Sequence, residues 1–337
     1  MSVLSRLGYV VLFAALFSWP FSRVQAASYP LRPVRLIVPF PPAGGTDIVA
    51  RLVGQALTES FRQQFVVDNR PGAASTIGAS IAAKAIPDGY TLLFVTASYA
   101  ISASFYKKLA YDPVNDFTAV SLIASGPLLF VAHPSLKANS IPELVALAKK
   151  MPGKLDYASG GAGGINHLAG ELFNSLAGTQ IVHVPYKGAG PALIGVMSGE
   201  AQMMIATLGS ALPHVKSGKL KALAVGSAQR TTILPDLPTV AESGVPGYGA
   251  ENSYGLLAPH GTPPHVVNLL HRQISEALST DDTRSKLLKL GFEPRTATPN
   301  EFGAYLNREI DKWRGVLKMA GLASGQTRQP RTPEGKR

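Results

Sequence analysis

The chain has 337 residues, of which 46% are hydrophobic and 16% charged, and this length allows one large or two medium globular domains. It contains no cysteine, so disulfide bonds, cysteine-ligated metals and cysteine nucleophiles are excluded. The net charge is +11, and the excess is spread along the chain instead of forming one basic run. That distribution argues against a nucleic-acid-binding surface and favours attraction of small anions.

The first 26 residues have the pattern of a cleaved secretory signal peptide. Arg6 precedes an apolar run from Leu7 to Trp19, and a small residue, Ala26, marks the expected cleavage point. The alternative is a membrane anchor, but the apolar run is shorter than the roughly 20 residues that span a bilayer. We therefore expect export to the periplasm, without a lipid anchor because no cysteine follows.

Downstream of this segment, apolar strand-like runs alternate with helical patterns. Such alternation predicts parallel sheets covered by helices on both faces. The predicted strands are 34–40, 65–69, 90–96, 121–133, 155–160, 181–186, 201–207 and 220–227. The predicted helices are 47–61, 69–85, 140–151, 167–177 and 190–199, and Ser140 is the expected N-cap of the third, with Pro142 in its first turn.

So many strands are more easily placed in two lobes than in one sheet. The segments PLLFVAHPSL and YGLLAPHGTPP each lead from an apolar strand into a proline-rich turn, and we interpret them as the two crossings between lobes. The predicted division is lobe one at about 27–125 plus 253–323, lobe two at 126–252, and a disordered basic tail at 324–337. A cleft between two α/β lobes is a common ligand site, because strand carboxyl ends and helix N-termini face it.

The segment PFPPAGGTD lies between the first strand and the first helix. Gly44 and Gly45 would let the backbone approach a ligand closely, and the first-turn amides of the helix lack intrahelical partners. Those amides and the helix dipole attract a carboxylate or a phosphate. The alternative is an ordinary helix start with Thr46 or Asp47 as N-cap, and the residues alone leave both interpretations open.

A second glycine-rich loop, in DYASGGAGGINHLAGELF, also follows a strand and precedes a helix. It lacks the third glycine of the dinucleotide fingerprint, where Asn166 stands, and the Gly-Lys-Ser/Thr of a P-loop. What remains is a second helix N-terminus favourable to anions. Two such loops facing each other across a cleft would suit a ligand with a carboxylate at each end.

Other candidate chemistry is weaker. His167 and Glu171 have the i, i+4 spacing of a metal pair, but without a third ligand we favour structural packing. Three serines that could act as nucleophiles lack a recognisable base partner in sequence: Ser75, Ser98 and Ser159. Lys187, at the end of the strand IVHVPY, either neutralises an anion or is simply solvated. We expect no catalytic residue, metal or cofactor.

Eight segments resemble one family in the same order. They are YPLRPVRLIVPFPPAGGTDIVARLV, VVDNRPGAASTIGA, PDGYTLL, HLAGELF, HVPYKGAGPAL, GKLKALAV, LPDLPTVAESGVPGY and GLLAPHGTP. The chain is similar over Tyr29 to Leu322 to the Bug family, the periplasmic solute-binding receptors of tripartite tricarboxylate transporters. The resemblance implies an α/β, two-lobed periplasmic-binding-protein fold (Venus-flytrap, type II-like), with a mainly parallel sheet flanked by helices in each lobe.

The resemblance also implies the function. Its members bind small carboxylates or related amides without a metal, largely through backbone amides and ordered waters, and deliver them to membrane components of the transporter. We expect the chain to be a monomer. The resemblance implies these ligand-binding residues: Ala43, Gly44, Gly45, Thr46, Asp47, Thr96, Ser98, Ser159, Gly160, Gly163, Gly164, His167, Tyr186 and Lys187.

Four positions depart from the family pattern. Ala43 stands where the family often has Gly, Gly164 where Ser is common, Ala206 where Asp is common, and Ser253 where Trp is common. The missing Asp at Ala206 and the missing Ser at Gly164 remove polar contacts that would serve a ligand amine or hydroxyl. Two other functions remain open: a loaded co-sensor for a membrane signalling partner, and a secreted hydrolase of anionic substrates, which would need a serine in hydrogen-bonding contact with a histidine.

Overall fold

The computed structural model describes residues 29–42, 45–106 and 108–322. The predicted signal peptide, the predicted tail, Ala43 and Gly44 lie outside these residues. The described residues from Arg32 to Leu322 belong to one compact unit, and Tyr29 to Leu31 belong to a separate one.

The described residues contain ten strands and ten α-helices that alternate over most of the chain. The strands are β1 Val34–Val38, β2 Phe65–Asn69, β3 Thr91–Thr96, β4 Phe117–Ala132, β5 Asp156–Ser159, β6 Val182–Pro185, β7 Met203–Thr207, β8 Lys221–Val225, β9 Glu251–Pro259 and β10 Glu293–Ala297. The helices are α1 Gly45–Phe61, α2 Thr76–Ala83, α3 Ala97–Phe105, α4 Ile141–Lys150, α5 Ile165–Ala177, α6 Ala189–Met197, α7 Leu208–Lys216, α8 Pro264–Ser279, α9 Asp281–Lys289 and α10 Pro299–Met319. A short 3₁₀ turn, Ala73–Ser75, precedes α2.

The strands form two parallel groups joined by antiparallel crossings. Their order is β2-β1-β3-β9-β4-β7-β5-β6, and β8 and β10 also pair with β4. Strand β1 pairs parallel with β2 and β3, and β5 pairs parallel with β6 and β7. Each group consists of short parallel strands followed by helices, as predicted, and β1, β3, β5 and β7 are mostly buried. The antiparallel pairing of β4 and β9 between the groups was not predicted.

Strand β4 connects the two groups. Its residues Phe117 to Pro127 pair with β9, whereas Leu128 to Ala132 pair with β7 and β8. The partners therefore change at Pro127, which has no N–H to donate to a neighbouring strand. This point lies in the segment interpreted from the sequence as the first crossing, while the lobe boundaries themselves stay a prediction.

Two short-range predictions are confirmed. The Ser140 side chain caps α4 by accepting from the Glu143 backbone N–H, and Pro142 lies in the first turn.

A further contact joins the start of α7 to the turn before β10. Cβ atoms added at Gly209 or Gly291 would overlap the backbone of the opposite segment, so this approach requires two glycines.

Helix α10 packs against both parts of the core. Near its start, Phe302 and Leu306 join the cluster that contains Leu93 of β3. Near its end, Trp313 joins the cluster that contains Phe130 of β4, with Phe173 and Tyr248. The carboxyl end of the segment assigned to lobe one therefore completes the core on the far side of the crossing.

Trp313 is the largest fully buried side chain of α10, with 0% exposure. Its Nε1 donates to Glu309 Oε2 at 3.0 Å, and Lys312 Nζ donates to Glu309 Oε1 at 2.5 Å. The tryptophan thus fills apolar volume while its one polar atom is satisfied, which is the arrangement that a buried indole requires.

We expect Trp313→Ala to lower the free energy of unfolding by about 3–5 kcal/mol, because it leaves a cavity in the core that α10 shares. Denaturant titration followed by circular dichroism measures the change. The control is Arg314→Ala at the neighbouring exposed position, where we expect a change within about 0.5 kcal/mol. Equal effects of the two substitutions would contradict the role given to Trp313.

Candidate functional site

Three helix N-termini lie at one edge of the group β7-β5-β6. The strands β5, β6 and β7 run in the same direction, so their carboxyl ends share an edge, and α5, α6 and α7 begin just beyond them. Their N-caps, Gly164, Gly188 and Thr207, make no side-chain capping hydrogen bond. The first-turn amides at this edge therefore lack the side-chain acceptors that usually satisfy them.

The group β2-β1-β3 has the corresponding edge. Helix α1 begins at Gly45, so Thr46 and Asp47 lie inside its first turn, and the alternative that either residue is the N-cap is wrong. Helix α2 starts after Ser75, which has a left-handed backbone and makes no capping bond. Helix α3 differs, because Thr96 Oγ1 accepts from the Ser98 backbone N–H at 3.2 Å.

Asp47 is turned into the protein. Its side chain is buried, Oδ1 accepts from Asn69 Nδ2 at 2.9 Å, and Oδ2 accepts from Arg51 Nε at 2.9 Å. Asn69 Nδ2 also donates to the Phe40 carbonyl at 3.1 Å. The carboxylate thus ties the start of α1 to β2 and to the segment before the helix, and direct contact between Asp47 and a ligand stays a prediction.

The loop from Ser159 to Gly164 adopts a conformation that requires glycine. Gly161 and Gly163 have φ of +134° and +78°, which lie in the region that side chains other than glycine rarely enter. A Cβ atom at Gly160 would lie 2.7 Å from the Ala189 backbone N, at the start of α6. The loop is therefore a closely packed backbone surface next to two helix N-termini.

Ser159 has a histidine partner that sequence reasoning missed. Ser159 Oγ and His183 Nε2 share a hydrogen bond of 2.5 Å, and the His183 ring stacks on His167 with centroids 3.8 Å apart. Ser159, for which no base partner is recognisable in sequence, therefore has one in space. The strand IVHVPY was recognised, but only its register beside β5, with His183 opposite Tyr157, places the ring near Ser159.

This Ser–His pair is nevertheless poorly suited to catalysis. Ser159 is 0% exposed, and burial, with a smaller contribution from His167, lowers the pKa of His183 to about 3. A base with that pKa gains little from accepting a proton at neutral pH. The contact that the hydrolase hypothesis needed is present, but its environment disfavours the chemistry.

His167 and Glu171 are engaged with protein groups. Gly163 N–H donates to His167 Nδ1 at 3.1 Å, and Tyr157 OH donates to Glu171 Oε1 at 2.6 Å. The His167 Nε2 to Glu171 Oε1 distance is 3.8 Å, and burial lowers the pKa of His167 to about 4. Among the described residues no group of three or more His, Asp or Glu side chains could hold a metal ion.

The remaining predicted residues differ in accessibility. Tyr186 OH donates to Glu200 Oε2 at 3.3 Å and lies over Gly195 of α6, and burial, followed by Glu200, raises its pKa. Lys187 is exposed.

A residue that was not predicted, Asn252, is buried beside α3, and its Oδ1 accepts from the Ala97 N–H at 3.3 Å. The departures Ala206 and Ser253 are both buried.

Two parallel strand groups with helix N-termini at their carboxyl edges, joined by long crossing strands, define the fold of periplasmic binding proteins. The solved structure of R. palustris Rpa4515 with adipate has this fold, with 37% identity and a TM-score of 0.79, covering 88% of this chain and 99% of that one. MatC (Rpa3494) from Rhodopseudomonas palustris with bound malate has 32% identity and a TM-score of 0.74, covering 86% and 100%.

The sequence model of the tripartite tricarboxylate transporter family receptors, TctC, matches residues 49–322, and the chain belongs to this family. Protein BugT of Bordetella pertussis is 38% identical over 300 residues, which cover 88% of this chain and 92% of BugT. The family consists of solute-binding receptors and not of enzymes, so the Bug-type resemblance is confirmed and the hydrolase hypothesis is not supported. Within the described ranges, no helix is both long and apolar enough to cross a bilayer.

Two histidines, buried His167 and half-buried His183, predict how stability depends on pH. Their folded-state pKa values, about 4 for His167 and about 3 for His183, lie below the ordinary value of 6.5, so the unfolded chain binds protons first as the pH falls. Their contribution to stability is complete above about pH 6.5 and is lost progressively down to pH 4 and below.

Urea titrations at pH 7, 6, 5 and 4 measure this loss. We expect the free energy of unfolding to fall across the series in the wild type and to fall less steeply in His183→Gln and His167→Gln, which cannot take up these protons. Wild-type slopes in both variants would show that other groups cause the acid sensitivity.

Proposed function

We propose that this chain is a periplasmic receptor that captures a small carboxylate and delivers it to the membrane components of a tripartite tricarboxylate transporter. The family to which it belongs is that of the transporter's receptors. Two relatives of similar fold were solved with adipate and with malate, both dicarboxylates. These neighbours support a dicarboxylate as the first ligand class to test.

The observation that carries the proposal is the set of helix starts without side-chain caps at the two sheet edges. Helix α5 begins behind Gly164 and α6 behind Gly188, and both follow parallel strands. Free first-turn amides and the positive end of the helix dipole are the groups that bind a carboxylate without a cationic side chain. On the other strand group, α2 starts after Ser75 without a side-chain capping bond, and α1 begins at Gly45.

The energetics are sufficient for a receptor. A charge-assisted hydrogen bond contributes about 1.5–3 kcal/mol, and each helix dipole adds about 0.3–1 kcal/mol. Two or three such bonds at each carboxylate would reach micromolar affinity after the cost of ordering the ligand and the binding loops. With one carboxylate at the start of α1 and the other near α5, we expect a preference for ligands with two acidic ends.

The direct experiment is a binding screen. We expect thermal shifts and calorimetric binding with at least one of adipate, malate and other mono- and dicarboxylates, unchanged by a metal chelator. Mass spectrometry of the protein purified from the periplasm should show a carboxylate released on denaturation. Absence of any carboxylate binding at millimolar concentration would overturn the proposal.

Gly45 allows one backbone donor to be removed almost alone. Proline is favoured at the first position of a helix, so Gly45→Pro deletes that N–H with little effect on folding. Gly45→Ala is the matched control, because it adds a Cβ in the same place, near the Phe292 ring, and keeps the N–H.

We expect Gly45→Pro to weaken carboxylate binding by about tenfold or more, consistent with loss of one charge-assisted hydrogen bond. Gly45→Ala should stay within about threefold of the wild type. Calorimetric dissociation constants give the comparison, and equal affinities in the two variants would show that this amide does not bind the ligand.

A further inference from the structure

Two backbone amides of the loop Ser159–Gly164 donate hydrogen bonds to nearby side chains. Gly161 N–H donates to Ser159 Oγ at 3.1 Å, and Ser159 Oγ donates to the Gly161 carbonyl at 3.1 Å. On the other side of the loop, Gly163 N–H donates to His167 Nδ1. Two backbone amides of the loop are thus oriented by the Ser159 hydroxyl and by the His167 ring.

His183 holds both of these orienting groups. Its Nε2 shares the 2.5 Å hydrogen bond with Ser159 Oγ, and its ring stacks on His167 at 3.8 Å with an interplanar angle of 24°. It lies on β6, one strand away from the loop, and is half-buried, and the Tyr157 ring centroid is 5.2 Å from its own. The ring therefore fixes the serine by a hydrogen bond and the neighbouring histidine by stacking.

The hydrogen bonds determine which nitrogen carries the proton. A backbone N–H can only donate, so His167 Nδ1 is unprotonated and the His167 proton is on Nε2. Ser159 has one hydroxyl hydrogen, and when that hydrogen goes to the Gly161 carbonyl, His183 must donate from Nε2. A neutral His183 with its proton on Nε2 is the form that satisfies every bond around Ser159.

We propose that His183 is a positioning residue for ligand capture: through Ser159 and His167 it sets the direction of the amides in the loop Ser159–Gly164 without touching the ligand. The inference rests on the proposed function for its ligand step, because that loop is where we place one carboxylate. Its geometric step concerns the loop alone. His183 also connects β6 to the loop that follows β5, so two of the three helix starts at this edge keep a fixed relation.

The test compares four variants. His183→Phe keeps an aromatic ring over His167 but removes Nε2, and His183→Gln restores a polar group close to the position of Nε2. Ser159→Ala removes the other partner of the same bond, and the double variant His183→Phe with Ser159→Ala completes a mutant cycle. The matched control is His133→Phe, which breaks a different His–Ser pair, between His133 Nδ1 and Ser135 Oγ at 2.7 Å, remote from the loop in sequence and outside the predicted ligand set.

The first measurement needs no ligand. Amide ¹H–¹⁵N chemical shifts of Gly161 and Gly163 report the loop geometry, and we expect both to move in His183→Phe, to return toward wild type in His183→Gln and to stay unchanged in His133→Phe. Unmoved Gly161 and Gly163 signals in a folded His183→Phe protein would overturn the inference. If that variant does not fold, His183→Gln and Ser159→Ala are compared in the same way.

The second measurement is calorimetric titration with adipate and with malate. We expect about a tenfold loss of affinity in His183→Phe and at least that loss in Ser159→Ala, which also removes the two hydrogen bonds between Ser159 and Gly161. The double variant should bind no more weakly than Ser159→Ala, since both single substitutions remove the Ser159–His183 hydrogen bond. Additive losses, or wild-type affinity in His183→Phe, would overturn the inference while leaving the proposed function intact. A wild-type protein that binds no carboxylate at all would instead overturn the proposed function and the ligand step with it.

Discussion

The continuity of strand β4 is the constraint on which the rest of the structure depends. Because one strand pairs with β9 over its first part and with β7 and β8 over its last part, the two parallel groups share a single hydrogen-bonded backbone. The change of partner at Pro127 costs no buried N–H, since proline has none. Helix α10 also contacts both groups, with Leu306 in one hydrophobic cluster and Trp313 in the other.

Several side chains near the helix starts bind other protein groups and so support the backbone that we propose to bind the anion. Asp47 binds Asn69 and Arg51, and Ser159 binds His183 and the Gly161 backbone. The carboxylate of Asp47 lies in the first turn of α1, but it accepts from Arg51 and Asn69 and thereby braces the start of the helix. Gly164 contributes differently, because a serine at that position could cap α5 and occupy an amide that glycine leaves open.

Much of the fold could be predicted because its elements are strongly patterned. The strand 65–69 was predicted with the bounds that the structure has, and the helix at 140–151 was located by its N-cap and proline. Helix α7 was missed since Pro213 and Gly209 weaken a helical pattern that the packing of its neighbours maintains. The antiparallel crossings were missed because apolar strands carry no sign of their direction.

The candidate site also has features that could be predicted from sequence and features that could not. Loops with several glycines after a strand can be recognised from sequence, since glycine enters positive φ far more readily than other residues, and Gly161 and Gly163 do so. His183 could not be found, because its role depends on the register of β6 against β5, and no residue near it in sequence belongs to the loop that it holds. The inward direction of Asp47 likewise depends on Asn69, a residue of another strand.

Trp313 has an optical consequence. The chain has two tryptophans, and the other, Trp19, lies in the predicted signal peptide, so a processed protein carries a single indole. That indole sits where α10 meets the core beyond the crossing, with the Lys312 ammonium 4.6 Å from its ring centroid. The emission wavelength and lifetime of this tryptophan therefore depend on the packing at the junction of the two strand groups. Intrinsic fluorescence of the unlabelled protein can follow any movement between them.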